Sequence, residues 1–137
     1  MFMLDQPERR ARGLTLATVI FVALLWGCTA SQPREEVIGE TTIPIPGGMD
    51  RVEGGGVEVA LPGFGGGRAV FQGRVRPEEV VRFYRTEMPN RGWKENASIV
   101  SQGGALAFSK EGRNVVITVG SAESGTTLDI LVGKLGS

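Results

Sequence analysis

The sequence predicts an α+β domain: an antiparallel sheet of about five to six strands with one helix packed on one face. From about residue 43 onward, short runs of alternating apolar and polar residues recur between glycine-containing turns, as in a sheet with one face in water. Residues 77–91 instead repeat their apolar side chains at helical spacing. The predicted element order is β-β-α-β-β-β-β, in one domain spanning residues 43–137.

The strands follow from the alternation and from the turns between them. Residues 57–61 alternate cleanly, the glycine-rich residues 62–67 are expected to turn the chain, and residues 68–75 form the next strand. Glu111-Gly112 is typical of a tight hairpin, and residues 121–125 are expected to form a looser turn. Four strands are predicted after the helix, over residues 93–100, 105–110, 113–120 and 126–133.

Both ends of the predicted helix carry recognisable signals. Pro77 suits the first helical position, where its missing N–H has no intrahelical partner. Pro89 is expected to disturb the last turn. If the helix continues to Arg91, Gly92 can take the left-handed position that follows it and Trp93 can pack against Met88, as in a Schellman cap. A role for Trp93 as a ligand platform is the alternative.

The N-terminal residues have the pattern of an export signal. Three arginines lie within residues 1–13, and residues 14–26 are uncharged and almost entirely apolar. A helix of this apolar run would measure about 20 Å, against a hydrocarbon core of about 30 Å, so it is short for a membrane span. Residues 1–27 are therefore predicted to be a signal peptide that is removed.

The end of this apolar run resembles the bacterial lipobox, in which a leucine and a small residue precede a cysteine that becomes acylated. Leu25 and Gly27 fit the pattern as signal-recognition residues, Trp26 departs from it, and Cys28 would be the lipidation site. Cys28 is the only cysteine of the chain, so it cannot form an internal disulfide. An ordinary buried thiol in an uncleaved signal anchor is the alternative. Thr29, in place of aspartate, favours the outer membrane by analogy with lipoprotein sorting.

Composition limits the function of the remaining chain. Residues 28–137 carry 12 Lys or Arg against 13 Asp or Glu, a balance that gives no support to nucleic-acid binding. The chain contains no histidine, and acylation would consume its one thiol, so the usual triads and zinc sites are not expected. No catalytic residue, metal or cofactor is predicted. Residues 28–42 are polar and are predicted to be a flexible tether.

Arginines cluster in the middle of the chain. Arg68, Arg74 and Arg76 are candidate contacts for an anionic partner, since basic side chains attract anionic headgroups and polymers. The alternative is a solvated sheet face with helix ion pairs. The triple glycines at 54–56 and 65–67 lack the spacing of phosphate-binding loops and are interpreted as turns.

The chain also resembles a group of small bacterial lipoproteins of unknown function. The likeness lies in Ile43-Pro44-Ile45-Pro46-Gly47-Gly48 and in a helix that carries Phe83-Tyr84-Arg85, Met88-Pro89 and Gly92-Trp93. It covers residues 43–133. The resemblance implies a lipobox signal, a strand, a helix and a hairpin-rich tail, and it implies no activity.

These observations predict a lipid-anchored protein of the bacterial cell envelope, on the outer membrane facing the periplasm. Its domain is expected to be a non-enzymatic structural or interaction module, since the carboxylates at 95, 111, 123 and 129 are too scattered to pair as acid and base. The alternative is a lipoprotein that binds a ligand or an anionic polymer through the arginine-bearing sheet face. The partners would be the membrane and an envelope protein or cell-wall polymer, and the oligomeric state is left open.

Overall fold

The computed structural model describes residues 30–61 and 64–135, which form an α+β domain of antiparallel sheet with a helix packed on it. The predicted fold class is confirmed, and the strand count is corrected, since the main sheet has seven strands in the described residues rather than five to six. The elements are β1 (Arg34–Ile38), β2 (Thr41–Ile45), β3 (Met49–Arg51), β4 (Val57–Leu61), β5 (Phe64–Gly73), α1 (Pro77–Asn90), β6 (Lys94–Ser101), β7 (Gly103–Lys110), β8 (Arg113–Ala122) and β9 (Gly125–Leu135).

The main sheet follows the order β3-β5-β9-β8-β7-β6, with β4 also paired to β5. Every residue of β5 pairs with β9 on one side. On the other side of β5, β3 opposes residues 71–73 and β4 opposes residues 64–68. They form a single edge strand interrupted by the loop at residues 52–56. At the opposite edge, β6 pairs only with β7 within the described chain.

The helix and its C-terminal cap agree closely with the sequence prediction. α1 begins at Pro77 and ends at Asn90, one residue before the predicted end, with Pro89 inside its last turn. Gly92 has a φ of 84°, and the Trp93 N–H donates to the Met88 carbonyl at 3.0 Å. That bond defines the predicted Schellman motif. Trp93 is buried in the core, which favours its structural role.

The predicted tether is shorter than expected, because residues 34–45 form a β-hairpin. β1 and β2 pair in antiparallel register as a separate two-stranded sheet, joined by Gly39 and Glu40, both with positive φ. Ile38, Ile43 and Ile45 are buried in the same core as the helix. The domain therefore starts before residue 43, since three buried isoleucines hold this segment against the sheet.

The glycines at 65–67 lie within β5 and do not form the predicted turn. They allow the hairpin to approach the sheet: a Cβ at Gly67 would lie 2.6 Å from the Gly39 nitrogen, and a Cβ at Gly39 would lie 2.5 Å from the Gly66 carbonyl carbon. Glycine in a strand commonly marks such an approach by another backbone. β5 also ends at Gly73, so the predicted strand over residues 68–75 is two residues too long.

The remaining hairpins are tight. Glu111 and Gly112, both with positive φ, join β7 to β8 as predicted. The looser turn expected at residues 121–125 is wrong, because Ala122 pairs with Gly125 and both strands are longer than predicted.

The core lies between one face of the sheet and a layer made by α1 and the β1–β2 hairpin. The helix packs over β6, β7 and β8, and β1 packs over β5. An ion pair between Arg91 and Glu35 joins the helix to the hairpin. The sheet contributes a set of fully or almost fully buried side chains: Ala69, Phe71, Leu106, Phe108, Val115, Ile117, Val119, Leu128, Ile130 and Val132.

The predicted signal peptide, residues 1–27, and its recognition residues Leu25, Trp26 and Gly27 lie outside the described residues, as does Cys28. Among the described residues, no helix is both long enough and apolar enough to span a membrane.

Candidate functional site on the uncovered face of the sheet

The sheet has a second face, opposite the core, that no described element covers. We call it the outer face. Its central row follows the register across six strands and consists of Val57, Arg68, Leu131, Val116, Ala107 and Ala97. The next row consists of Val70, Asp129, Thr118, Ala105 and Ile99. Most of these side chains are apolar, although water reaches this side of the sheet.

Several of these apolar side chains are strongly exposed. Leu131 is 52% exposed and Ile99 is 73% exposed, with Val57 and Val116 also open to solvent. Leu131 and Val116 oppose each other on neighbouring strands, and the same row continues through Ala107 and Ala97, so these apolar side chains form a contiguous surface. Arg68 lies between this surface and Val57. Contiguous exposed apolar surface of this kind commonly marks an interaction site.

An ion pair crosses the outer face. The Arg68 guanidinium donates from Nε to Asp129 Oδ1 at 3.0 Å and to Oδ2 at 3.1 Å, and its Nη2 also bonds the same carboxylate. This hydrogen bonding, together with the charge of Asp129, raises the pKa of Arg68. Arg68 therefore has an anionic partner within the protein, 61 residues away along the sequence.

The other two arginines predicted to contact an anion lie elsewhere. Arg74 is exposed after the end of β5. Arg76 is the residue before α1, where its guanidinium pairs with Glu79 at 2.8 Å and the hydrogen bond raises its pKa. The structure therefore places one predicted arginine on the outer face and two in the turn that leads into the helix.

On the core side of the sheet, which we call the inner face, the helix α1 places the hydroxyl of Tyr84. This side chain is fully buried, and its hydroxyl has no hydrogen-bond partner among the described residues. Burial raises the pKa of Tyr84, and the charge of Glu36 acts in the same direction, while Arg34 opposes it. The phenol is therefore neutral at physiological pH.

Replacing Tyr84 by phenylalanine tests whether this hydroxyl is unpaired. A buried hydroxyl without a partner loses its hydration at a cost of about 1–3 kcal/mol, so Tyr84→Phe is expected to raise the free energy of unfolding by about 1 kcal/mol. The measurement is urea unfolding followed by Trp93 fluorescence. A loss of stability of similar size would show that the hydroxyl makes a hydrogen bond.

The carboxylates that the sequence left unassigned serve in ion pairs or lie in turns. Glu95 pairs with Arg85 at 3.7 Å, and Asp129 pairs with Arg68. Glu111 lies in the β7–β8 turn and Glu123 in the β8–β9 turn. Among the described residues, no three His, Cys, Asp or Glu side chains are grouped to hold a metal ion.

A solvated, arginine-bearing sheet face was predicted from the sequence, but its apolar character was missed, although a signal for it exists. Strict alternation is broken at Val115-Val116, Ile130-Leu131 and Ile99-Val100, where two large apolar residues stand side by side. Because neighbours in a strand point to opposite faces, each pair must expose one apolar side chain or bury it under a further layer. These pairs are the sequence mark of a second apolar face.

Comparison with known proteins gives one result. A family model described as START domain-like matches residues 58–126, half of the chain, from the second residue of β4 to the start of β9. No functionally curated protein and no solved structure matches the chain.

Proposed function

Since the chain belongs to the START domain-like family, we propose that it is a lipid-anchored bacterial envelope protein whose domain is a non-enzymatic interaction module. Domains of this family are usually binding domains. The observation that carries the proposal is the outer face, where exposed apolar side chains lie in register on a sheet whose other face is already filled. Binding then takes place on the surface of the sheet.

The filled inner face favours a surface partner over an enclosed ligand. Tyr84, Phe71, Phe108 and their neighbours are buried beneath the helix and the hairpin. A small-molecule site normally needs a concave, largely preformed pocket. The outer face is instead a broad surface of the sort that a protein partner covers.

The anchor at Cys28 would hold this domain close to the membrane. The first strand begins at Arg34, six residues after Cys28, and six fully extended residues reach about 20 Å. Several acyl chains, each contributing about 0.8 kcal/mol per buried methylene, would make the attachment stable. The partner would then be an envelope component within reach of the outer membrane and facing the periplasm.

Site-specific crosslinking in intact cells tests the interaction module. A photoreactive amino acid at Val116 or at Leu131 is expected to capture one and the same envelope component. Val37, which is 60% exposed on β1 and lies outside the main sheet, provides the control position. The proposal fails if the two outer-face positions capture nothing, or capture only what the Val37 position also captures.

An anionic cell-wall polymer or headgroup is the second candidate partner. It is favoured by Arg74, which is exposed and forms no ion pair with any described residue, and by Arg76, whose side chain is 76% exposed. The double variant Arg74→Gln/Arg76→Gln is expected to bind anionic vesicles several-fold more weakly than the native protein, with Arg82→Gln on the helix as the control. Unchanged vesicle binding would eliminate this candidate.

A further inference from the structure

We propose that β6 pairs with β6 of a second copy, which joins the two main sheets into one. β6 is an edge strand whose outer side has no partner in the described chain. Such an edge presents a row of unpaired backbone N–H and C=O groups, and the group that satisfies them best is another strand. The backbone of this edge therefore favours another β-strand as its partner.

From Ala97 to Ser101, the side chains of β6 leave this edge unprotected. Ile99 is 73% exposed and Val100 is 51% exposed, one on each face of the strand. Residues 96–109, which include most of β6 and β7, contain no charged residue. Edge strands that remain single usually carry charges, prolines or bulges that discourage pairing, and between Ala97 and Ser101 the register of β6 is regular.

The opposite edge is protected, which limits the assembly to two copies. There β3 and β4 are interrupted by the loop at residues 52–56, and charged residues such as Arg51, Glu53 and Glu58 accompany the break. One open edge and one blocked edge give a closed dimer with two-fold symmetry in place of a growing fibre.

The regular part of β6 also fixes the register. The register shifts at a bulge between Glu95 and Ala97, so the regular run of β6 begins at Ala97 and extends to Ser101. Its midpoint is Ile99. In an antiparallel pair, opposed residues share a face, and a two-fold axis at Ile99 sets this side chain against its own copy. Ser98 then opposes Val100. The paired segment itself contains no charged residue, while Arg85 of the helix contacts it by donating to Ser98 Oγ at 2.9 Å.

A second copy is favoured over another extended strand because the segment matches itself. Where the copies meet, Ile99 packs against its own copy on the outer face, Val100 lies beside Ser98 of the other copy on the opposite face, and no like charges are opposed. The membrane anchor would also hold copies at one surface and raise their effective concentration. This last point rests on the proposed function.

Cysteine crosslinking of the full-length protein in membranes tests this pairing. Ile99→Cys is expected to give a disulfide-linked dimer on mild oxidation, because opposed Cα atoms in an antiparallel pair lie about 4.5–5.5 Å apart, within disulfide range. Val116→Cys, which is on the same face but on the central strand β8, is the matched control and is expected to stay monomeric. The native protein, whose only cysteine is Cys28, is oxidised in parallel to measure any disulfide that forms through that residue.

The register has its own test. Ser98→Cys alone and Val100→Cys alone are expected to give little dimer, whereas the two variants expressed together give a mixed dimer. Ile99→Lys is expected to weaken the dimer of the detergent-solubilised protein at least tenfold in sedimentation without loss of thermal stability, since Ile99 is exposed.

The pairing is overturned if Ile99→Cys forms no more dimer than Val116→Cys, or if Ile99→Lys leaves the dissociation constant unchanged. An acyl label read in the same samples separates this inference from the proposed function. If the Ile99→Cys variant carries the acyl label but forms no crosslinked dimer, the result contradicts the dimer and leaves the anchor in place. Crosslinked protein without acyl label supports the dimer and contradicts the anchor.

Discussion

Replacing Cys28 by serine is expected to abolish acylation of the protein completely and to leave residues 1–27 attached. The thiol is the group that would form the thioether to the lipid, and a thiolate is a far better nucleophile than a serine hydroxyl. Because the lipobox pattern couples cleavage to prior acylation, the precursor should accumulate. Metabolic labelling with an alkyne fatty acid, with electrophoresis to separate precursor from mature protein, measures both effects.

The matched control changes the residue that departs from the lipobox. Trp26→Leu restores the modest aliphatic residue usual at that position and keeps Cys28, so it should label fully and process at least as fast as the native chain. Acyl label on the Cys28→Ser variant would show that the lipid is attached to a residue other than Cys28, and would contradict the prediction.

Replacing Ile38 by alanine is expected to destabilise the domain by about 2–5 kcal/mol. Ile38 is 1% exposed in the core, so its truncation removes buried apolar surface and leaves a cavity beneath the hairpin. Val37 precedes it on β1 and is 60% exposed, so Val37→Ala should change the free energy of unfolding by less than about 0.5 kcal/mol.

The comparison of these two variants tests the hairpin directly. Urea unfolding followed by Trp93 fluorescence gives both free energies on the same protein background. If residues 34–42 were a flexible tether, neither substitution would matter and the two variants would unfold together with the native chain. A difference of at least about 2 kcal/mol between them is what the packed hairpin requires.

The helix and its cap were predictable because their signals are local. Pro77 at the start, apolar residues at helical spacing, and Gly92-Trp93 at the end all lie within one segment of sequence, and the structure follows them to within one residue. The Glu111-Gly112 hairpin is local in the same sense. Such features depend on neighbours along the chain, which a sequence displays.

The β1–β2 hairpin was not predictable in this way because its charges are satisfied at long range. Arg34, Glu35 and Glu36 resemble a solvated tether when only their neighbours are considered. In the fold, Glu35 pairs with Arg91, and Glu36 accepts a hydrogen bond from Arg51 at 3.4 Å. Arg34 donates to the Met49 carbonyl at 2.7 Å.

The candidate site was predictable only in part, for the same reason. The sequence identifies Arg68 as a basic residue on a strand, and the structure agrees. It does not show that Asp129 on β9 neutralises this arginine, or that Leu131 and Val116 align beside it. Strand order decides both facts, and strand order depends on contacts between distant segments.

The measurement that bears most directly on the central proposal is the intact mass of the native protein isolated from bacterial envelopes, with tandem fragmentation of its N-terminal peptide. We expect a chain that begins at Cys28 and carries a diacylglyceryl group on its sulfur. A full-length product recovered from the cytosol, with residues 1–27 present and the Cys28 thiol free, would contradict both the membrane anchor and the envelope role.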